Sequence, residues 1–193
     1  RATAELTVDL PHEPSLVVEA YDGSIRINRP LVREGSNLES SDLRGCLLDE
    51  LFARENGLAV GDRIGLKVGG QVYDFTIRGT CLSPEFVSLT KNSVRDPLNY
   101  GFILINNGAI GTLSLNSLVV TLADGTDAAG VEDAVSAYYP DALMLDSRTQ
   151  SSVHGIASDA GMYRSLSYVF PLLAYAVAAM IVLTTITRML ENQ

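Results

Sequence analysis

The chain has 193 residues, 47% of them apolar, with Asp plus Glu at 23 against Lys plus Arg at 14, a net charge of −9. This is enough for one domain of ordinary size plus an anchor. The acidic balance excludes a surface that holds nucleic acid or an anionic membrane face, because it would repel phosphate.

From Ser151 onward the charges are Asp159, Arg164, Arg188 and Glu191, which cancel, so the negative balance belongs to residues 1–150. An acidic folded domain is compatible with the outer side of a membrane, since cytoplasmic loops favour Lys and Arg. Cys46 and Cys81 do not make a disulfide framework. A single bridge is one reading; two buried free thiols, each in an apolar run, is the expected one. Residues 1–10 hold no apolar signal core and the chain does not open with Met. The expectation is that the N-terminus is a cut and that more chain follows Arg188.

In chain order, residues 4–10 alternate loosely (Leu6, Val8, Leu10) and read as a strand broken by Pro11 and Pro14. Residues 16–20 and 25–27 read as two strands joined by an Asp22-Gly23 hairpin turn. Residues 29–41 are polar and turn-rich, which predicts a loop. Cys46-Leu47-Leu48 is a short apolar run. Asp49 follows as an N-cap for a helix from Glu50 to Asn56, and Asn56-Gly57 supplies its C-terminal stop. One longer helix from Asp42 is the alternative, and Gly45 counts against it by about 1 kcal/mol.

Ile64, Leu66 and Val68, then Gly69-Gly70, then Val72, Phe75 and Ile77 spell a β-hairpin. Residues 82–99, with Pro84 and Pro97, have no period and read as a long excursion from the sheet. Strands follow at 100–105 and 118–122. Thr126 or Asp127 caps a helix to about Tyr138, with Val131, Ala134, Val135 and Tyr138 along one side. Pro140 stops it, and residues 142–145 make a last short strand. The fold class is therefore α+β: a small mixed or antiparallel sheet, a few helices and a long C-terminal helix. The domain reading is 1–160 for the globule, 161–190 for a helix continuing into a membrane, and 191–193 for the start of a segment beyond it.

Residues 165–187 carry no charge, and Arg164 and Arg188 close the stretch. As a helix at ~1.5 Å per residue it covers about 34 Å, against a hydrocarbon core of about 30 Å. Leu166, Val169, Phe170, Leu173, Val177, Met180 and Leu183 fall all round the helix rather than on one face. A helix apolar all round is a membrane span or the buried core of a large protein, and this chain is short for the second. Tyr163, Tyr168 and Tyr175 gather toward one end, as interfacial aromatics do. Pro171 reads either as a residue of the first helical turns or as a kink in a longer helix.

Enzyme signatures are poor. His12 and His154 stand in polar contexts, and there is no G-x-S-x-G elbow, no Cys/His spacing for zinc and no phosphate loop. The carboxylate pairs Asp49/Glu50, Asp124/Asp127 and Glu132/Asp133 read as solvated helix starts. The loop from Pro84 to Pro97 is long enough to bind a ligand, but its residues specify no class. The expectation is a chain that is not an enzyme and holds no metal or cofactor.

Three stretches together carry a resemblance. Residues 48–66, with Leu58-Ala59-Val60-Gly61-Asp62 after a short helix, resemble the strand, helix and G-L-x-V-G-D run in the extracellular core domain of FtsX/MacB-like ABC transporter permeases. Phe75-Thr76-Ile77-Arg78-Gly79-Thr80, followed by Ser83-Pro84-Glu85-Phe86, resembles that family's next strand and the segment after it. Residues 167–189, ending Thr184-Thr185-Ile186-Thr187-Arg188-Met189, are similar to the second transmembrane helix of those permeases.

The resemblance implies a MacB-like periplasmic core type of fold in residues 1–160, placed outside the cell membrane between a first span before Arg1 and the span at 161–190. It implies a dimer or paired permease working with a separate cytoplasmic ATPase that binds the ATP. The helix from about Ser158 would transmit motion to the ectodomain, and Arg188 would mark the cytoplasmic boundary. The chain is shorter than the best-known members and leaves no room for a second large outer lobe. The alternative is an extracellular binding or sensor domain anchored by a single helix. A tethered hydrolase built on the 84–97 loop has no catalytic constellation behind it.

Overall fold

The computed structural model describes residues 1–21, 25–87, 89–92, 94–145 and 151–191, with side chains for all of these except 151–166 and 191. The chain divides into two compact units, Arg1–Leu145 and Asp146–Gln193. The first contains β1 (Ala2–Val8), β2 (Ser15–Tyr21), β3 (Leu31–Gly35), β4 (Gly45–Asp49), α1 (Glu50–Glu55), β5 (Arg63–Val68), β6 (Gln71–Leu82), β7 (Tyr100–Asn106) and α2 (Ala128–Tyr138); the second contains α3 (Ser151–Glu191). The class is α+β with a mixed sheet and a long C-terminal helix, as the sequence indicates.

The sheet has 7 strands in the order β3-β6-β4-β7-β2-β1-β5, and β5 also pairs with β6. Strands β6, β4, β7, β2, β1 and β5 therefore close into a barrel, with β3 added outside on β6. The 12-residue β6 makes closure feasible. Its first half, residues 71–76, pairs antiparallel with β5. Its second half pairs parallel with β4, from Gly45 opposite Thr76 to Asp49 opposite Cys81, and antiparallel with β3. Gly69 and Gly70, at φ 57° and 84°, form the β5–β6 turn, where side chains would be strained.

Alternation along each strand fills two cores. Leu16, Val18 and Ala20 of β2, Cys46 and Leu48 of β4, Phe75 and Ile77 of β6, and Ile103 and Ile105 of β7 share the barrel interior. Leu47, Cys81, Phe102 and Leu104 point the other way and meet Val17, Tyr21, Val32, Phe86 and Leu89. Asp49 caps α1 through Leu51 N at 3.0 Å, as its position predicts. Phe52 and Ala53 of that helix enter the interior core. Gly101 is required beside it, since a Cβ there would sit 2.7 Å from the Phe52 Cβ.

Cys46 and Cys81 are free and buried. They belong to opposite faces of the sheet, which separates them as the reading of two free thiols requires.

Several sequence readings are corrected. Residues 25–27 are not a strand. β2 pairs instead with β1 and, in parallel, with β7, because a strand buried on both faces belongs at the centre of a sheet. The polar stretch read as a loop at 29–41 contains β3, whose Arg33 and Glu34 suit an edge that only one neighbour covers. Residues 118–122 and 142–145 are not strands. Closure of the barrel leaves β3 as the outer edge, and residues 118–122 and 142–145 do not pair with it. Leu118 and Leu143 are accordingly 83% and 84% exposed. The helix expected from 127 to 138 is present as α2 with Asp127 as cap, but none of its residues is buried, so the apolar side read from Val131 to Tyr138 covers no core.

The Asp22-Gly23 turn, the lead into the last helix at 147–150 and residues 192–193 lie outside the described residues. So do the side chains of His154, Tyr163, Arg164 and Leu166.

Because residues 118–122 pair with no strand among the described residues, Val120→Pro is expected to change the unfolding free energy by less than about 1 kcal/mol. Val18→Pro, in the centre of the sheet, is expected to cost about 3 kcal/mol or more. Urea unfolding followed by circular dichroism checks both. Equal losses at the two sites would show that 118–122 is a paired strand.

Candidate functional site

Two features stand out: α3, and a pocket under the 83–99 excursion. In α3 the stretch Ser167–Leu190 has 24 residues, a mean hydropathy of 2.3 and no buried share, so it is long and apolar enough to cross a membrane. The named positions of the span all lie on this helix. Val169, Phe170, Leu173, Val177, Met180 and Leu183 are exposed. Leu166 lies on the helix too, with its side chain outside the description. Pro171 is inside the helix, which begins at Ser151, so the helix-start reading of that proline falls away. Thr184, Thr185 and Thr187 donate their hydroxyls to the carbonyls of Met180, Ile181 and Leu183 at 2.7, 2.8 and 2.9 Å. Each hydroxyl is thus satisfied within its own helix, which matters most where no water is present. Arg188 stands in the last turn.

The excursion is tied to the barrel at three places. At its start, the Glu85 carboxylate accepts from Arg1 Nη1 at 2.6 Å and from Asn28 Nδ2 at 2.5 Å. Arg1 Nη1 also reaches Glu19 Oε1 at 2.8 Å, and the Tyr21 hydroxyl donates to Glu19 Oε2 at 2.5 Å. In the middle, Lys91 Nζ donates to Glu5 and to Ser15 Oγ at 2.5 and 2.8 Å and lies 5.1 Å from the centre of the Tyr100 ring. At its end, Asn99 O accepts from Ser15 N at 3.0 Å, and Leu98 O accepts from Asn56 Nδ2 at 3.0 Å. Phe86 stacks on Phe102 with ring centres 4.8 Å apart.

Beneath this strap is a cavity of about 120 Å³. Phe102 and Tyr100 of β7 and Leu82 of β6 line it from the sheet, Leu51 from α1, and Phe86, Val87, Leu89 and Pro97 from the strap. Its polar members are Asp49, Ser83 and Arg95. The loop between Pro84 and Pro97, where the sequence left room for a ligand, is the cover of this pocket.

Burial shapes the titration of the network. The Glu19 residue is 1% exposed, and desolvation raises its carboxyl above the ordinary glutamate range even though the Tyr21 hydroxyl and the Arg1 guanidinium favour its charged form. Desolvation also raises Asp49 and pushes the Cys81 thiol up to about 12. Neither cysteine is therefore a thiolate near neutral pH. His12 lies 3.2 Å from the Leu98 carbonyl at the surface, in the polar setting that its sequence context indicates. No group of three or more metal-ligating side chains occurs among the described residues.

Sequence reasoning missed the Arg1–Glu19–Glu85 network and the sheet side of the pocket. One signal was present: Glu19 interrupts Leu16-Val17-Val18 and Ala20 in a strand otherwise apolar on both faces. Comparison with protein-family models and with curated proteins finds no match to the chain.

Because folding raises the Glu19 pKa, its contribution to stability is complete below the unfolded value of about 4.5 and is lost as pH rises through the folded value. Glu19→Gln removes this titration. Its unfolding free energy relative to the natural protein is expected to improve as pH rises from about 4.5 and to level off once pH has passed the folded value of Glu19, measured by urea unfolding across the pH series. A difference independent of pH would show that Glu19 is ionised throughout. Native Cys46 and Cys81 are expected to resist a disulfide-exchange reagent at pH 8 and to react fully in denaturant; fast native labelling would contradict their burial.

Proposed function

We propose that this chain is the extracytoplasmic domain of an ABC transporter permease of the FtsX/MacB-like kind, together with the membrane helix that follows it. Residues 1–160 lie outside the cell membrane, and α3 is the return span. The observation that carries this reading is α3 itself: Ser167–Leu190 is apolar on every side and unburied, and the hydroxyls of Thr184, Thr185 and Thr187 are bonded within the helix. Such a surface is stable in lipid and costly in water, at roughly 25 cal/mol per Å² of apolar area exposed. The α+β domain that precedes it and the three resembling stretches supply the finer assignment.

In this reading the chain is not an enzyme and holds no cofactor. ATP is bound by a separate cytoplasmic ATPase subunit, and the permease works as a homodimer or with a paired permease. ATP binding moves the spans, and the long helix α3 carries that motion toward the ectodomain. The acidic balance of residues 1–150 repels phosphate, which supports a partner other than nucleic acid.

A second reading, a binding or sensor domain anchored by this one helix, is favoured by the preformed pocket. The two part company on the ATPase. Purification of the full-length protein from its membrane is expected to bring down an ABC ATPase, and ATP is expected to alter protease sensitivity in residues 1–145. A lone monomer indifferent to ATP would replace the transporter reading by the anchored domain.

Membrane insertion has its own test. Val177→Arg is expected to weaken insertion by about 3 kcal/mol and to raise the alkali-extractable fraction. Full extraction of the natural protein at alkaline pH would remove the membrane span.

A further inference from the structure

The pocket under the 83–99 strap holds more information than its presence. Its cover is fastened at Glu85, at Lys91 and at Leu98–Asn99, so the cavity is held open by its frame. Protein interiors otherwise close such voids by packing. Its volume, about 120 Å³, is comparable to the roughly 150 Å³ cavity that accepts benzene.

Two of its three polar members are already committed. Asp49 Oδ1 accepts from Leu51 N at 3.0 Å, and Ser83 Oγ accepts from Glu85 N at 3.3 Å. Arg95 is different. Its residue is exposed, and its guanidinium makes no hydrogen bond or salt bridge among the described residues, although its charge and that of Asp49 attract. The walls thus suit a ring or a branched alkyl group, and the cationic fork of Arg95, which makes no ion pair among the described residues, matches a carboxylate in two-point geometry.

We propose that this pocket binds a ring-sized or branched-alkyl group bearing a carboxylate, with the apolar part against Phe102, Tyr100 and Leu82 and the carboxylate on Arg95. The assignment does not depend on the membrane reading. Two sources share this chemistry: a free aryl or branched-chain carboxylic acid, and a polypeptide C-terminus ending in a large apolar residue.

The test uses the full chain in detergent and fluorine NMR of 4-fluorophenylacetate. Saturable binding is expected, with the neutral 4-fluorophenylacetamide about tenfold weaker or worse. Arg95→Ala is expected to lose about tenfold and Arg95→Lys to keep part of the affinity. Val87→Phe is expected to fill the cavity and abolish binding. Both positions are exposed, so each variant should unfold at the same urea midpoint as the natural protein, which confirms that lost binding is local. Displacement of the probe by Ala-Ala-Phe but not by its amide assigns the site to a polypeptide C-terminus. Displacement by isovalerate but not by the peptide assigns it to a free acid. Absence of saturable binding, equal affinity for acid and amide, or binding unchanged by Val87→Phe overturns the proposal.

Discussion

The first unit depends on one strand serving more partners than a short strand has room for. β6 runs for 12 residues, long enough to pair with β5 along its first half and with β4 and β3 along its second. Without that hand-over the sheet would be open, with β5 at a bare edge. With it, the interior is a closed apolar volume and the polar backbone at the seam is paired. The outer face of β4 and β7 is then left needing cover of its own. The 83–99 excursion supplies that cover, which places the pocket where it is.

The cover is attached by charge and hydrogen bonds as well as by the apolar packing of Phe86 and Leu89. Arg1 lies between two carboxylates, Glu19 and Glu85, and the first of these is buried. Breaking one member of such a group leaves an uncompensated charge, so the arrangement is specific in geometry even where its net stabilisation is small. A cover packed only by hydrophobic contact would settle onto Phe102 and Tyr100. One suspended from a barrel edge by Glu85, Lys91 and Leu98 is held away from part of that surface.

Legibility in the sequence followed how local each cause was. The Asp49 cap, the Gly69-Gly70 hairpin, the strand at Tyr100 and the helix after Asp127 all rest on neighbours in the chain, and each appears where the residues place it. What failed was non-local. The 118–122 segment has the alternation of a strand, but a strand also needs a neighbour to pair with, and alternation alone does not supply one. β3 reads as a loop because its sequence is polar, although an outer position tolerates that polarity. The pocket was half visible: the excursion was recognised, but its floor comes from strands and a helix far apart in sequence. The apolar helix was legible as a helix long enough to cross a membrane, because that is carried by composition and length, while the place of Pro171 within it was not.

The parallel pairing of β2 with β7 joins residues 15–21 to residues 100–106. The N-terminal hairpin β1–β2 is therefore an incomplete object while residues 22–106 are being made. One side of β2 waits, unpaired and apolar, until residue 106 has emerged. Topologies with such long-range closure fold slowly and expose sticky surface in the interim. The half-finished barrel is consequently the form of this protein most in need of a chaperone, and substitutions that delay β7 should lower yield more than they lower the stability of the finished fold.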